Sequence, residues 1–120
     1  MLFITGDCHG DYRKFNKECF PEQKEMTRED FVLVCGDFGI WNNGKQEQWW
    51  MKWLSQKPFT VLFVDGNHEN FDRLNQFPVV DFHGGKAHQI KENIYHLMRG
   101  ELFDLCGKKV FAFGGASSHD

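Results

Sequence analysis

An α/β fold, with βαβαβ units leading into a set of antiparallel strands, is predicted by three features of the sequence. Three short β-rich apolar runs, Leu2 to Thr5, Phe31 to Cys35 and Thr60 to Val64, are separated by helical or polar segments. Lys45 to Lys57 has a helical period, with Trp49, Trp50, Trp53 and Leu54 on one side and Pro58 just beyond. From Val79 onward no long helical pattern remains, and short alternating pieces take over.

Taken in order, the first strand is Leu2 to Thr5. Asp11 then offers a cap for a helix whose apolar positions Tyr12, Phe15 and Cys19 recur at helical spacing, with Pro21 as its stop. Glu22 to Asp30 is charged and without period, which predicts a solvent-facing connection. Phe31 to Cys35 is an unbroken apolar run, as expected of a strand covered on both faces. Ile40 to Gly44 is rich in turn residues, and Thr60 to Val64 makes the third strand. A short helix is expected at Phe71 to Leu74, ended by Phe77-Pro78. Strands follow at Val79 to His83, Ala87 to Ile90, Ile94 to Leu97, Leu102 to Leu105 and Lys109 to Phe113. A turn is expected at Gly84-Gly85, and a hairpin around Cys106-Gly107-Lys108. The second sheet is therefore begun but not finished.

The length of 120 residues bounds the chain to one domain, and 13 Phe with 4 Trp predict a strongly aromatic core. A net charge of −3 and scattered basic residues predict no nucleic-acid groove. No apolar run has the roughly 18–20 residues that a membrane helix needs, and Gly6-Asp7 arrives too early for a signal peptide. The expectation is a cytoplasmic chain without a membrane partner. The four cysteines stand at wide, irregular spacings with no C-x-x-C pair, which predicts free thiols.

The chemistry gathers at the ends of the first three runs. Leu2 to Thr5 runs into Gly6-Asp7-Cys8-His9-Gly10, Phe31 to Cys35 into Gly36-Asp37-Phe38-Gly39, and Thr60 to Val64 into Asp65-Gly66-Asn67-His68-Glu69. Carboxyl ends of parallel strands lie side by side, and the crevice beyond them is where open α/β folds bind ligands. Asp7 and His9 alternate along the chain and can reach one ion. Asp37 has two oxygens and can bridge two ions, and Asn67 offers a neutral amide oxygen. Carboxylate, imidazole and amide donors suit Mn, Fe, Zn, Ni or Mg rather than a thiolate site. Two such ions about 3.5–4 Å apart clamp the attacking and leaving oxygens of a phosphoryl centre. A bare phosphate loop is excluded on charge, because Asp7 and Asp37 repel a phosphate unless cations intervene. Singly, each acid or amide also fits a helix cap or a turn; three strand ends with the same arrangement favour the metal site.

Gly-Asp-Cys-His-Gly, Gly-Asp-Phe-Gly and Gly-Asn-His-Glu, in this order, resemble the first three motifs of the calcineurin-like metallophosphoesterase superfamily, in its small bacterial or phage-type form. The resemblance implies the first half of an α/β/β/α sandwich. It implies Asp7 and His9 on a first metal, Asp37 bridging, and Asn67 on a second. His68 corresponds to the catalytic histidine that assists the leaving group, and Glu69 is placed to orient it. The implied reaction is hydrolysis of a phosphomonoester or phosphodiester by a metal-bridging hydroxide. The substrate would be a phosphorylated small molecule or nucleotide.

Two departures matter. The phosphate-clamping arginines of protein phosphatases are missing, since Phe38-Gly39-Ile40 and Asp65 stand in their places, which argues against a phosphoprotein substrate. The family's later histidine motifs have no counterpart: His83 and His88 flank Gly84-Gly85 on an expected surface loop, His96 suits one face of a strand, and His119 is near the C-terminus. The domain spanning residues 1–120 is therefore expected to be truncated on its C-terminal side. Alone it is expected to hold fewer than two ions, to be nearly inactive on phosphoesters, and to self-associate through an open apolar edge such as Val110 to Phe113. The rival reading is a non-catalytic protein-binding scaffold, or an inactive fragment of the same fold.

Overall fold

In the computed structural model, residues 2–6, 12–35, 38, 44–64 and 71–112 are described. A mixed six-stranded sheet runs through them. Its strands are β1 (Leu2–Thr5), β2 (Phe31–Cys35), β3 (Thr60–Val64), β4 (Val79–Phe82), β5 (Gly85–Lys91) and β6 (Ile94–Leu97), in the spatial order β1-β2-β3-β6-β5-β4. β1, β2, β3 and β6 are parallel neighbours, while β5 runs antiparallel to both β6 and β4. A separate hairpin is formed by β7 (Leu102–Leu105) and β8 (Lys108–Phe111). The helices are α1 (Lys45–Ser55) and α2 (Phe71–Leu74), and no helix among the described residues is long and apolar enough to cross a membrane.

Alternation divides the core into two layers. Val32, Val34, Val61, Phe63, Ile90 and Ile94 meet Met51 and Leu54 of α1, together with Tyr12, Phe15 and Phe38, on one face. Phe31, Leu33, Leu62, Val64, Ala87 and Leu97 meet Phe103, Leu105 and Ala112 of the hairpin region on the other. β3 is buried along its whole length because it lies between these layers and between two strands. The result is a helix–sheet–hairpin stack, consistent with the first half of the expected sandwich.

Five expectations are corrected. Residues 12–19 do not form an α-helix: a 3₁₀ turn spans Arg13–Phe15, and Asn16 is extended. The Asn16 side chain accepts a hydrogen bond from the Cys19 N–H at 2.7 Å, so a local turn outcompetes the helical ladder. The proposed cap, Asp11, lies outside the described residues. Pro21 does not stop a helix but opens a second 3₁₀ turn, Pro21–Glu25, at the position where its missing N–H costs nothing. That connection is partly internal, since Gln23 and Met26 are buried. On α1, the face against the core is Glu47, Met51 and Leu54, whereas Trp49 is 58% exposed. Adjacent helical positions lie roughly 100° apart, so Trp49 and Trp50 cannot both face the sheet. Lastly, β6 belongs to the parallel part of the first sheet, because Ile94 and Leu97 bury opposite faces of the same strand.

The hairpins agree more closely. Cys106 and Gly107 have φ of 54° and 80° between the paired residues Leu105 and Lys108, the two left-handed positions of a tight type I′ turn. The β4–β5 turn is His83-Gly84, one residue earlier than expected, and Gly85 already pairs with Phe82. Gly85 is needed for contact instead: a Cβ there would lie 2.8 Å from the Phe103 ring and 3.0 Å from the Leu102 carbonyl oxygen. Cys19, Cys35 and Cys106 are free thiols, and Cys8 lies outside the described residues.

Asn93 joins the layers at the start of β6. Its side-chain amide donates to the carbonyls of Leu54 at 3.1 Å and Phe59 at 2.9 Å, at the end of α1 and the entry to β3. Replacing Asn93 with alanine leaves both carbonyls buried without that donor. A loss of about 2–4 kcal/mol is expected, from two bonds at roughly 1–2 kcal/mol each. Urea unfolding checks this; a loss below about 0.5 kcal/mol would show that the tie is not stabilising.

Candidate active site at the strand ends

The parallel register sets the carboxyl ends of the first three strands beside one another. Thr5 pairs with Val34 and Val34 with Phe63, and Cys35 pairs with Val64 one step further. In the sequence, Asp7 follows the end of β1 by two residues, Asp37 follows β2 by two, and Asn67 follows β3 by three. Asp7, His9, Asp37, Asn67, His68 and Glu69 themselves lie outside the described residues. Thus the backbone brings together the strands that lead into the three motifs.

The residues next to those motifs are anchored. Lys14 donates to the Thr5 hydroxyl at 3.2 Å and to the Gly6 carbonyl at 3.4 Å, holding the end of β1. Phe38, directly after Asp37 in sequence, is fully buried and stacks on Phe63 of β3 with ring centroids 4.2 Å apart and planes within 6°. The Tyr12 hydroxyl donates to the Phe38 carbonyl at 2.7 Å, and the Tyr12 ring lies 4.9 Å from that of Phe38. Tyr12 packs in turn on Trp50 of α1. The segment after β1 and the segment after β2 are therefore fastened to each other and to β3.

Below these ends lies a histidine pair. His88 and His96 face each other across β5 and β6, and both are buried. Their Nδ1 atoms are 2.9 Å apart, so one ring donates its N–H and the other accepts. His96 also lies against Phe63, with ring centroids 5.1 Å apart. This corrects the expectation of a surface His88; His83, at the turn, is exposed as expected. The signal was available in the alternation: His88 stands two residues before Ile90 and His96 two after Ile94, on one core-facing row. His119 lies outside the described residues. Among the described residues, no group of three or more His, Cys, Asp or Glu converges to hold a metal.

Comparison with known proteins agrees with this arrangement. A family model described as calcineurin-like phosphoesterase matches residues 2–119. The chain is 30% identical over 136 aligned residues to lariat debranching enzyme A of Xenopus laevis, covering 99% of this chain and 24% of that protein. It is 28% identical to lariat debranching enzyme of Danio rerio, covering 98% and 22%, and 26% identical to that of Homo sapiens, covering 98% and 23%. The chain thus spans about a quarter of the length of the curated relatives it matches. No solved structure gives a significant match. The three motifs in order, the parallel strands that lead into them and the match over nearly the whole sequence assign the chain to the calcineurin-like phosphoesterase family.

Proposed function

We propose that this chain carries metal-ligating and acid residues of a phosphoester hydrolase, working on a phosphodiester in preference to a monoester. The observation that supports it is the level register of β1, β2 and β3, each followed within two or three residues by a ligand-type side chain, in a chain of this family. The donor set fits divalent cations: Asp7 and His9 would hold a first ion, Asp37 would be shared between two, and Asn67 would serve a second. Bound there, the ions supply Lewis-acid polarisation of the phosphoryl oxygens and a more acidic water. Asp7 and Asp37 would offset the positive charge of the ions, and in their absence the two carboxylates would repel a phosphate. His68 donates a proton to the departing oxygen as the ester bond breaks, and Glu69 holds its ring in the donating orientation.

The diester preference draws on the relatives, whose names describe debranching of lariats. A phosphoesterase that removes a branch cuts a phosphate linked on both sides, which is a diester. The reading also keeps a nucleotide-type substrate within the expected class, and a cytoplasmic setting.

The test measures bound metal together with hydrolysis of an aryl phosphate and an aryl phosphodiester, using chain loaded in turn with Mn, Fe, Zn, Ni or Mg. Metal retention with faster diester than monoester hydrolysis supports the proposal. Retention of none of the metals, with no hydrolysis, overturns it. The ligand roles have their own check. Asp37→Asn is expected to lose more metal than Asn67→Ala at equal chelator, because a bridging carboxylate gives charge to both ions and the amide one neutral oxygen to one. Equal losses would remove the bridging role from Asp37.

A further inference from the structure

At the opposite end of β3 from the strand ends lies a cleft of about 470 Å³, bordered by Lys17, Gln23, Lys24, Trp53, Gln56 and Lys57. Lys57 precedes Thr60, the first residue of β3, and the four steps from there to Val64 span about 13 Å. The cleft thus lies at the amino end of β3, away from the carboxyl ends of the first three strands.

Its chemistry is one-sided. Lys57 is only 7% exposed, yet its ammonium meets an amide and a ring rather than a carboxylate. It donates to Gln23 Oε1 at 3.2 Å and lies 4.1 Å over the Trp53 ring. Gln23 cannot turn away, because its amide N–H groups donate to the carbonyls of Phe15 at 2.9 Å and Phe20 at 2.8 Å. That anchoring leaves Oε1 as the atom that receives Lys57. Two more lysines, Lys17 and Lys24, border the same space, and no carboxylate side chain borders it among the described residues. Burial lowers the Lys57 pKa from the ordinary lysine value, and the charge of Lys17 lowers it further. A buried cation without a counter-charge is costly for the fold, and a bound anion is what would offset it.

We propose that this cleft is a second ligand site that takes an organic polyphosphate of nucleotide size, with Lys57 as its buried anchor and Lys17 and Lys24 at its rim. Three ammonium groups call for a ligand with more than one negative charge. The volume is that of a small-molecule site and exceeds what a single orthophosphate fills. Phosphate oxygens accept from lysine as charge-assisted hydrogen bonds, and the exposed Gln56 amide can bind an attached base or sugar.

The experiment is thermal unfolding and calorimetric titration of the 120-residue chain in excess chelator, which removes metal-dependent phosphate binding at the strand ends. The probes are orthophosphate, pyrophosphate, ATP, and acetate at matched ionic strength. Pyrophosphate and ATP are expected to bind and to raise Tm, with ATP the tighter, while acetate has no effect. Lys57→Met is expected to raise the ligand-free Tm, by removing a buried charge that has no counter-charge, and to weaken ATP binding about 10–100-fold, the worth of one charge-assisted hydrogen bond. Lys24→Gln, at an exposed position, is expected to weaken binding without changing the ligand-free Tm. Binding of none of the probes by wild type overturns the proposal. So does ATP binding that both variants leave unchanged, since it would place the ligand elsewhere. Equal binding of orthophosphate and ATP overturns the nucleotide size and leaves a phosphate site.

Discussion

Replacing His68 by alanine in a metal-loaded chain that carries the complete site is expected to lower kcat by about 10²–10⁴, the usual cost of losing a general acid. That corresponds to about 3–5 kcal/mol of transition-state stabilisation. Bound metal is expected to stay unchanged, because His68 is assigned no ligand role. The loss is expected to shrink as the leaving group improves: a nitrophenolate departs without protonation, whereas an alkoxide needs the proton. Steady-state rates on a series of phosphodiesters with graded leaving groups, alongside metal analysis, provide the measurement. A uniform loss across the series would take the acid role away from His68. Loss of metal in His68→Ala would make the residue a ligand.

Phe38→Ala is expected to be the most destabilising single substitution around the site, at about 3–5 kcal/mol. The ring is wholly excluded from solvent, stacked on Phe63 at 4.2 Å and flanked by Tyr12 at 4.9 Å. Its removal opens a cavity where the loops after β1 and β2 are fastened to β3. Against a total stability of about 5–15 kcal/mol for a domain, such a loss unfolds a sizeable fraction of the chain at moderate temperature. Metal retention is expected to fall as well, since Phe38 directly follows Asp37. Tyr12→Phe is the control: it keeps the ring and removes the 2.7 Å hydrogen bond to the Phe38 carbonyl, at about 1 kcal/mol. Chemical denaturation of both variants decides the matter. A Phe38→Ala loss below about 1 kcal/mol would mean that the neighbouring rings refill the space.

Much of the architecture was legible where one local signal acted alone. Short apolar runs became strands at Phe31–Cys35 and Ile94–Leu97 with the expected bounds, because each buries side chains on both faces of the sheet. The β7–β8 hairpin followed from Gly107, whose freedom at positive φ supports the tight turn. Where two signals competed, periodicity misled. Tyr12, Phe15 and Cys19 have helical spacing, but the Asn16 side chain takes the Cys19 N–H and breaks the ladder. His88 beside two glycines suggested a loop, although its alternation with Ile90 placed it in the core.

The sequence by itself determined which chemistry the chain can offer: acids, imidazoles and an amide, each set after an apolar run, in the order Asp7, His9, Asp37, Asn67, His68. It determined this because ligand type and spacing along a chain are local properties. Only the tertiary structure decided which of those runs are neighbours, since strand order and register arise from non-local pairing and from burial on two faces at once. It also decided the partners of buried polar groups. His88 meets His96 across two strands, and Lys57 meets Gln23 from 34 residues away, because a side chain removed from water takes the partner that the fold places beside it.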